Sequence, residues 1–244
     1  MAIIIPAPMA VSASHTRDIA NLTRMLRSGT SEEQLEAAQT FASLAADGHG
    51  AGPGALSAAG ARTEIARAGG IHALVQLAFG DKSSEHKAAA AAALANMVAN
   101  HAENQEVIAG AGGIPALIDL VCDRADGAEA PQRANAAAAL GNLAIDHQGN
   151  QTAVEDEGGI AALIGLLREA WGADDGEAGQ SDEQDWQEAA AVAALRAATS
   201  GLPANFDAMR GLLSSKELAI VMNEESGGGK SSEAAAAVKR PKPS

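Results

Sequence analysis

Apolar residues recur along this chain at helical spacing, in blocks that resemble one another. In each block, two adjacent apolar residues are followed by a third that lies four places after the first. The blocks are Ala73–Leu77, Ala116–Leu120 and Ala162–Leu166. Apolar residues at i, i+1 and i+4 form one face of an α-helix. A pair of glycines precedes each block, and 43 and then 46 residues separate Gly69, Gly112 and Gly158. The pattern therefore predicts a helical repeat with a sharp turn in every unit.

Each repeat predicts three helices. Upstream of two glycine pairs, an Asn stands four residues before an aliphatic residue, and this spacing predicts a short first helix over 104–108. The glycines end that helix, because Gly adopts positive φ without a Cβ clash. A second helix follows over 114–121, with Pro115 expected at its first position, where a missing N–H costs nothing. A third helix is predicted over 131–144.

Weaker copies of the pattern flank the central ones. Residues 19–26 and 34–44 predict a second and a third helix at the start of the array, and 186–199 predicts another third helix near its end. Asn205 to Met209 repeats the step from Asn to an aliphatic residue. The segments Ser31-x-x-Gln34 and Ser181-x-x-Gln184 fit capping boxes that would begin third helices.

These glycine pairs, Asn positions and Ala-Leu-x-Asn segments resemble the armadillo repeat. HEAT repeats share a period of about 40–47 residues, but the paired glycines favour armadillo. The resemblance implies an all-α, right-handed α-solenoid of about four armadillo-like three-helix repeats. We expect a disordered lead-in over 1–15, the repeat domain over 16–223, and a disordered Gly/Ser/Ala-rich tail with a basic end over 224–244.

Charge and composition narrow the partners and the location. The net charge of −14 argues against a nucleic-acid partner, which requires a basic face. No apolar stretch reaches the roughly 18–20 residues of a membrane span. A single cysteine, Cys122, suits a reducing compartment, so the expected location is intracellular and cytoplasmic. The segment Lys239-Arg240-Pro241-Lys242 resembles a short nuclear-localisation signal and would add nuclear access.

The resemblance also implies a binding groove, because third helices of armadillo repeats line a concave surface. In importin-α-like proteins, a Trp and an Asn four residues apart on that helix hold an extended basic peptide. The Asn positions match Asn96 and Asn142, whereas Ala92 and Ala138 stand at the Trp positions, which argues against nuclear-import cargo. Asn135 shares the face of Asn142 by helical spacing. Alternatively, these amides only tie adjacent helices together.

Other polar features give no catalytic residue, cofactor or metal site. His101 and His147 lie one repeat apart, at corners too widely spaced to share a zinc ion. Cys122 is expected to be a small buried hydrophobe. The acidic insert within 171–185 would attract a basic partner or the basic tail, or would be a solvated loop. Gly229-Lys230-Ser231 lacks the first glycine of a phosphate-binding loop, because Glu224 stands there.

The sequence therefore predicts a non-enzymatic scaffold or adaptor that binds a protein segment or extended peptide, basic in the best-known relatives. Asn96, Asn142 and Asn135 are the candidate groove residues. The alternative is a structural fragment or regulatory module of a longer armadillo array, for example a ubiquitin-pathway or import-type adaptor. Uncapped apolar ends would then favour self-association.

Overall fold

A computed structural model describes residues 13–46, 56–80, 82–124, 130–172 and 182–222, which form thirteen α-helices and no strand. The helices are α1 (Ala13–Ser28), α2 (Ser31–Ala45), α3 (Ala58–Arg67), α4 (Gly70–Phe79), α5 (Ser84–Val98), α6 (Ala102–Gly110), α7 (Gly113–Cys122), α8 (Ala130–Ala144), α9 (Gln148–Asp156), α10 (Gly159–Gly172), α11 (Asp182–Thr199), α12 (Pro203–Leu212) and α13 (Ser215–Met222).

The helices repeat in threes, which confirms the predicted all-α repeat architecture. First helices are α3, α6, α9 and α12; second helices are α1, α4, α7, α10 and α13; third helices are α2, α5, α8 and α11. The predicted helices over 104–108, 114–121 and 131–144 correspond to α6, α7 and α8, each extended by one to two residues at one or both ends. Residues 1–12 of the predicted lead-in, the tail over 224–244 and most of the acidic insert lie outside the described residues. Helix α1 begins at Ala13, within the predicted lead-in over 1–15.

Two different constraints act on each glycine pair. The first glycine is left-handed, with φ of +77° at Gly69, +80° at Gly112 and +77° at Gly158. The second begins the next helix against the preceding one: a Cβ on Gly113 would lie 2.4 Å from Cγ2 and 2.8 Å from the carbonyl oxygen of Ile108. The aliphatic residue four places after each Asn is therefore the residue that the turn packs against.

The core lies where third helices stack side by side. Helix α8 packs between α5 and α11, and its alanines Ala134, Ala136, Ala137 and Ala139 are fully buried. Small side chains allow close approach: a Cβ on Gly141 would lie 3.0 Å from Cα of Ala194. Leucines on the same helices, such as Leu94 and Leu140, fill the space between units, and they bury more apolar area than alanine does.

Three local predictions were wrong. Helix α2 is capped one residue earlier than predicted: Glu33 N donates to Thr30 Oγ1, while Thr30 N donates to Glu33 Oε2 at 2.7 Å. Pro115 is the third residue of α7 rather than its first. The backbone N–H groups of the first four helical residues have no partner within the helix, so a proline, which lacks this group, is also tolerated at the third position. Cys122 is exposed rather than buried, because it ends α7 at the solvent.

Within the described ranges, no single helix has both the length and the apolar character to cross a membrane. Helices α6 and α7 meet those two criteria only as a pair, across a bend of 78°.

Candidate interaction surface on the third helices

One face of the third helices forms a repeated stripe, which we call the groove stripe. It contains, on each helix, the position equivalent to Asn96 and the residues 4, 7 and 11 places before it, all on one helical face. Its members are Glu32, Glu36, Gln39 and Ser43 on α2; Glu85, Ala89, Ala92 and Asn96 on α5; Pro131, Asn135, Ala138 and Asn142 on α8; and Trp186, Ala190, Ala193 and Ala197 on α11.

The two predicted asparagines make the same contact in successive repeats. Asn96 Nδ2 donates to the carbonyl oxygen of Ala42 at 2.8 Å, and Asn142 Nδ2 donates to that of Ala95 at 3.2 Å. Each amide thus ties its helix to the preceding third helix, as the alternative interpretation of the sequence supposed. Each Oδ1 accepts no hydrogen bond from the described residues and keeps contact with solvent. The stripe therefore holds two free acceptors, one on each of two adjacent helices.

Asn135 lies deeper in the stripe, with 5% of its surface exposed. Its Oδ1 is buried and has no hydrogen-bond partner among the described residues. A buried carbonyl oxygen without a donor costs about 1–3 kcal/mol. Rotation of the amide would exchange the buried oxygen for the more open NH₂ group, so this side chain can offer either a donor or an acceptor to the surface.

Buried amides on the first helices fix the spacing of the stripe. Asn104, Asn150 and Asn205 each donate from Nδ2, at 2.8 Å, to the carbonyl oxygen seven residues earlier, at the end of the preceding third helix. Gln105 Nε2 reaches across units to the carbonyl oxygens of Asn142 at 2.8 Å and Ile145 at 3.0 Å. These bonds satisfy carbonyls that every helix end leaves without a partner.

The corners between repeats use the predicted histidines. His101 and His147 occupy the N-cap positions of α6 and α9, and His147 Nδ1 accepts from the backbone N–H of Asn150 at 3.2 Å. Each follows a left-handed residue, Asn100 with φ of 54° and Asp146 with φ of 52°. Their role as corner residues is confirmed. Among the described residues, no three His, Cys, Asp or Glu side chains are arranged to hold a metal ion.

Methyl groups form the middle of the stripe. Ala92 is 7% exposed and Ala138 is half-buried, so the Trp positions of importin-α-like proteins are a nearly flat alanine floor. The one aromatic residue on the stripe is Trp186, which is half-buried near the start of α11. A lysine stem could therefore not be clamped between aromatic rings along α5 and α8.

The stripe carries acidic residues and no basic one. Glu32, Glu36 and Glu85 are exposed on α2 and α5. Two basic side chains on α5 and α8 are paired with carboxylates. Lys87 Nζ lies 3.3 Å from Asp123 Oδ2, and Arg133 Nη2 lies 2.6 Å from Glu169 Oε2, although without hydrogen-bond geometry. Burial of Glu169 raises the pKa of its carboxyl group, but the guanidinium groups of Arg124 and Arg133 lower it by more. The pKa of Glu169 therefore lies below its ordinary value. The α2 and α5 end of the stripe is therefore negative.

Three-helix units with aligned third helices and one open stripe define a helical solenoid with a surface suited to an extended ligand. The family model described as Armadillo/beta-catenin-like repeat matches residues 59–99, which span α3 to α5. One unit of the chain thus matches the armadillo repeat, and the fold is the right-handed armadillo-like solenoid that the sequence predicted.

Solved structures agree with this fold. An engineered protein is 28% identical and superposes with a TM-score of 0.67, over 89% of this chain and 77% of its own. A designed armadillo repeat protein in complex with the peptide (KR)4 is 22% identical, with a TM-score of 0.64 over 89% and 80% of the two chains. The armadillo repeats only protein of Plasmodium falciparum is 16% identical, with a TM-score of 0.60 over 84% and 87%. No curated protein matches the sequence.

Sequence reasoning placed Asn96, Asn142 and Asn135 on one surface, but it overlooked the acidic members of that surface. Glu36 stands at the position equivalent to Asn135, and Glu85 lies eleven residues before Asn96. The repeat register could have found both, since it already aligned the asparagines. The roles of Gln105 and Gln151 in joining units were also missed, because their partners lie 37 to 46 residues away.

Proposed function

We propose that the groove stripe binds an extended, basic segment of a partner protein, and that the chain acts as a non-enzymatic scaffold or adaptor. The single observation that carries this proposal is the pair of free Oδ1 acceptors on Asn96 and Asn142, held by their own Nδ2 bonds. A backbone N–H of an extended ligand is the natural donor for such an acceptor.

Spacing supports an extended ligand. Packed helices lie about 8–10 Å apart, and an extended chain rises about 3.3 Å per residue. Neighbouring asparagines would therefore engage backbone groups about two to three residues apart. Because the helices are held in place before binding, only the ligand loses much conformational freedom.

Charge supports a basic ligand. Glu32, Glu36 and Glu85 would attract lysine or arginine side chains at one end of the stripe. A designed armadillo repeat protein with a similar fold is in complex with the peptide (KR)4, which supports a basic ligand. Ala92 and Ala138 leave the ligand side chains unclamped, so we expect charge rather than cation–π stacking to provide selectivity.

The test is fluorescence anisotropy of a labelled (Lys-Arg)4 peptide with the full chain, and with an uncharged (Ser-Gly)4 peptide as the control ligand. Changing both Asn96 and Asn142 to Ala should raise Kd about tenfold or more, since each lost hydrogen bond contributes about 0.5–1.5 kcal/mol. The matched variant Asn21→Ala removes an exposed amide on α1 and should bind as the wild type does.

Two outcomes would contradict the proposal. One is unchanged affinity in the double variant while circular dichroism shows an intact fold. The other is equal binding of the charged and uncharged peptides. The variants Glu36→Gln and Glu85→Gln should each weaken binding of the charged peptide at low salt, and added salt should reduce that difference.

We also propose an intracellular, cytoplasmic site of action with nuclear access, supported by the single Cys122 and by the basic segment 239–242. Imaging the tagged full chain in cells tests it. Replacing the basic residues of that segment with alanine should lower the nuclear fraction, and an unchanged distribution would refute the role of this segment.

A further inference from the structure

Two carboxylates stand at matching positions at the starts of neighbouring third helices. Glu32 is the second residue of α2 and Glu85 is the second residue of α5, and both are exposed. Neither has a hydrogen bond or an ion pair among the described residues. The partial positive charge of a helix N-terminus favours a carboxylate there. The two negative charges still repel each other, so a contact between the two helix starts would be needed to hold them side by side.

His86 makes such a contact. It follows Glu85 and is 7% exposed. Its Nε2 lies 2.8 Å from the carbonyl oxygen of Ser31 and 3.0 Å from Ser31 Oγ. A carbonyl oxygen only accepts, so Nε2 carries the hydrogen and donates to α2. In the neutral ring, Nδ1 then accepts from Ser83 Oγ at 2.7 Å. The imidazole therefore joins the residue before Glu32 to the N-cap residue of α5.

The next pair of third helices lacks this bridge. On α8, Gln132 stands at the position equivalent to His86 and is fully buried. Its Nε2 donates to Asp123 Oδ2 at 3.3 Å within its own repeat unit, and its Oε1 has no hydrogen-bond partner among the described residues. The stripe residue beside it is the uncharged Pro131. The bridge therefore occurs where two stripe carboxylates are neighbours, and it is missing between α5 and α8, where the second stripe position is uncharged.

We propose that His86 is a positioning residue of the groove stripe, and that its bridge holds Glu32 and Glu85 so that both act on one basic side chain of the ligand. This inference rests on the proposed binding of an extended basic segment. Packed helices lie about 8–10 Å apart, so an ammonium or guanidinium group between the two helix starts lies within reach of both carboxylates. Without the bridge, repulsion separates the carboxylates, and each attracts a cation alone in solvent, where the attraction is weak.

Fluorescence anisotropy of the labelled (Lys-Arg)4 peptide with the full chain at low salt tests the proposal. In the wild-type background, Glu85→Gln should raise Kd about threefold, the effect of one exposed charge contact. In the His86→Asn background, the same change should raise Kd by less than about 1.5-fold. An asparagine amide replaces Nδ1 and can keep the bond to Ser83, but it does not reach Ser31.

Two further backgrounds separate the bridge from a general loss of stability. A glutamine amide replaces Nε2 and can keep the bond to Ser31, so His86→Gln should retain the threefold effect of Glu85→Gln. Gln132→Ala removes a buried amide at the equivalent position of α8, and it should also leave that effect unchanged. Circular dichroism checks that each variant is folded.

A second measurement does not depend on any change at His86. If both carboxylates hold the same cation, Glu32→Gln and Glu85→Gln should be non-additive in the wild-type background. The double variant should then raise Kd about three- to fivefold rather than the roughly ninefold product of two independent effects.

The outcomes distinguish this inference from the proposed function. No binding of (Lys-Arg)4 by the wild type would overturn both. Peptide binding with an equal effect of Glu85→Gln in the wild-type and His86→Asn backgrounds would overturn the role of His86 alone, and so would additive effects of Glu32→Gln and Glu85→Gln. Loss of the Glu85→Gln effect in the Gln132→Ala background would also refute it, because stability rather than the bridge to Ser31 would then control the binding.

Discussion

Substitution by alanine should raise the free energy of unfolding at one of three neighbouring glycines and lower it at the other two. Gly110 ends α6, and a Cβ added there would meet nothing within 4 Å. Gly110→Ala should therefore stabilise the protein by about 0.4–1 kcal/mol, through helix propensity and a less flexible unfolded chain. Gly112 and Gly113 form the turn, and alanine at either should destabilise it for two separate reasons.

At Gly112 the cost is conformational. Its φ is +80°, and the nearest atom to an added Cβ is Phe79 Cε2 at 3.8 Å, an ordinary contact. A left-handed alanine costs about 1–2 kcal/mol. At Gly113 the cost is steric: the added Cβ would meet Ile108 Cγ2 at 2.4 Å and the Ile108 carbonyl oxygen at 2.8 Å, and the backbone atom cannot move away cheaply. Overpacking of this kind costs about 1–3 kcal/mol.

The two causes can be separated with asparagine, which tolerates the left-handed region better than alanine does. Gly112→Asn should recover part of the loss of Gly112→Ala, whereas Gly113→Asn should be at least as unstable as Gly113→Ala. Urea unfolding followed by far-ultraviolet circular dichroism measures the differences, provided the slope with urea is unchanged. Equal stability of Gly110→Ala and Gly113→Ala would refute the reasoning.

Three further predictions concern single side chains. Asn104→Ala should destabilise by about 1–3 kcal/mol in the same unfolding assay, because it leaves the buried Met97 carbonyl oxygen without a donor; the exposed Asn21→Ala is its control. Hydrogen bonds from Arg168 and Ser214 lower the pKa of Glu217 from 4.5 to about 2. Its stabilising effect is therefore present above about pH 4.5 and lost as the pH falls toward 2, so the difference in Tm between wild type and Glu217→Gln should shrink over that interval. Exposed Cys122 should react fully with a thiol reagent in the native state; a requirement for denaturant would contradict its placement.

Much of the fold was predictable because its signals are local. The 3.6-residue apolar pattern marked α6, α7 and α8, and the glycine pairs marked the turns between first and second helices. Capping was less predictable. Ser31 and Gln34 satisfied the pattern of a capping box as well as Thr30 and Glu33 did. In the structure, Thr30 has the extended backbone of an N-cap residue and Ser31 already begins the helix.

The groove asparagines show the same limit. Sequence spacing placed Asn96 and Asn142 on one face, but it could not determine which amide atom is used. That choice depends on the carbonyl oxygens of Ala42 and Ala95, which lie 54 and 47 residues earlier. The buried Oδ1 of Asn135 has no sequence signal at all, since Glu36 and Ala190 stand at equivalent positions.

The sequence by itself determined the helices, their order and the register of the repeat, because periodicity and the sterics of glycine act over a few residues. The tertiary structure decided which side chains are open and which amide atoms are free. Cys122 shows the difference: it is the last residue of an apolar helix, which suggested a buried side chain, yet its side chain is exposed to solvent. Exposure depends on how neighbouring units stack, and that stacking is set by contacts between residues a full repeat apart.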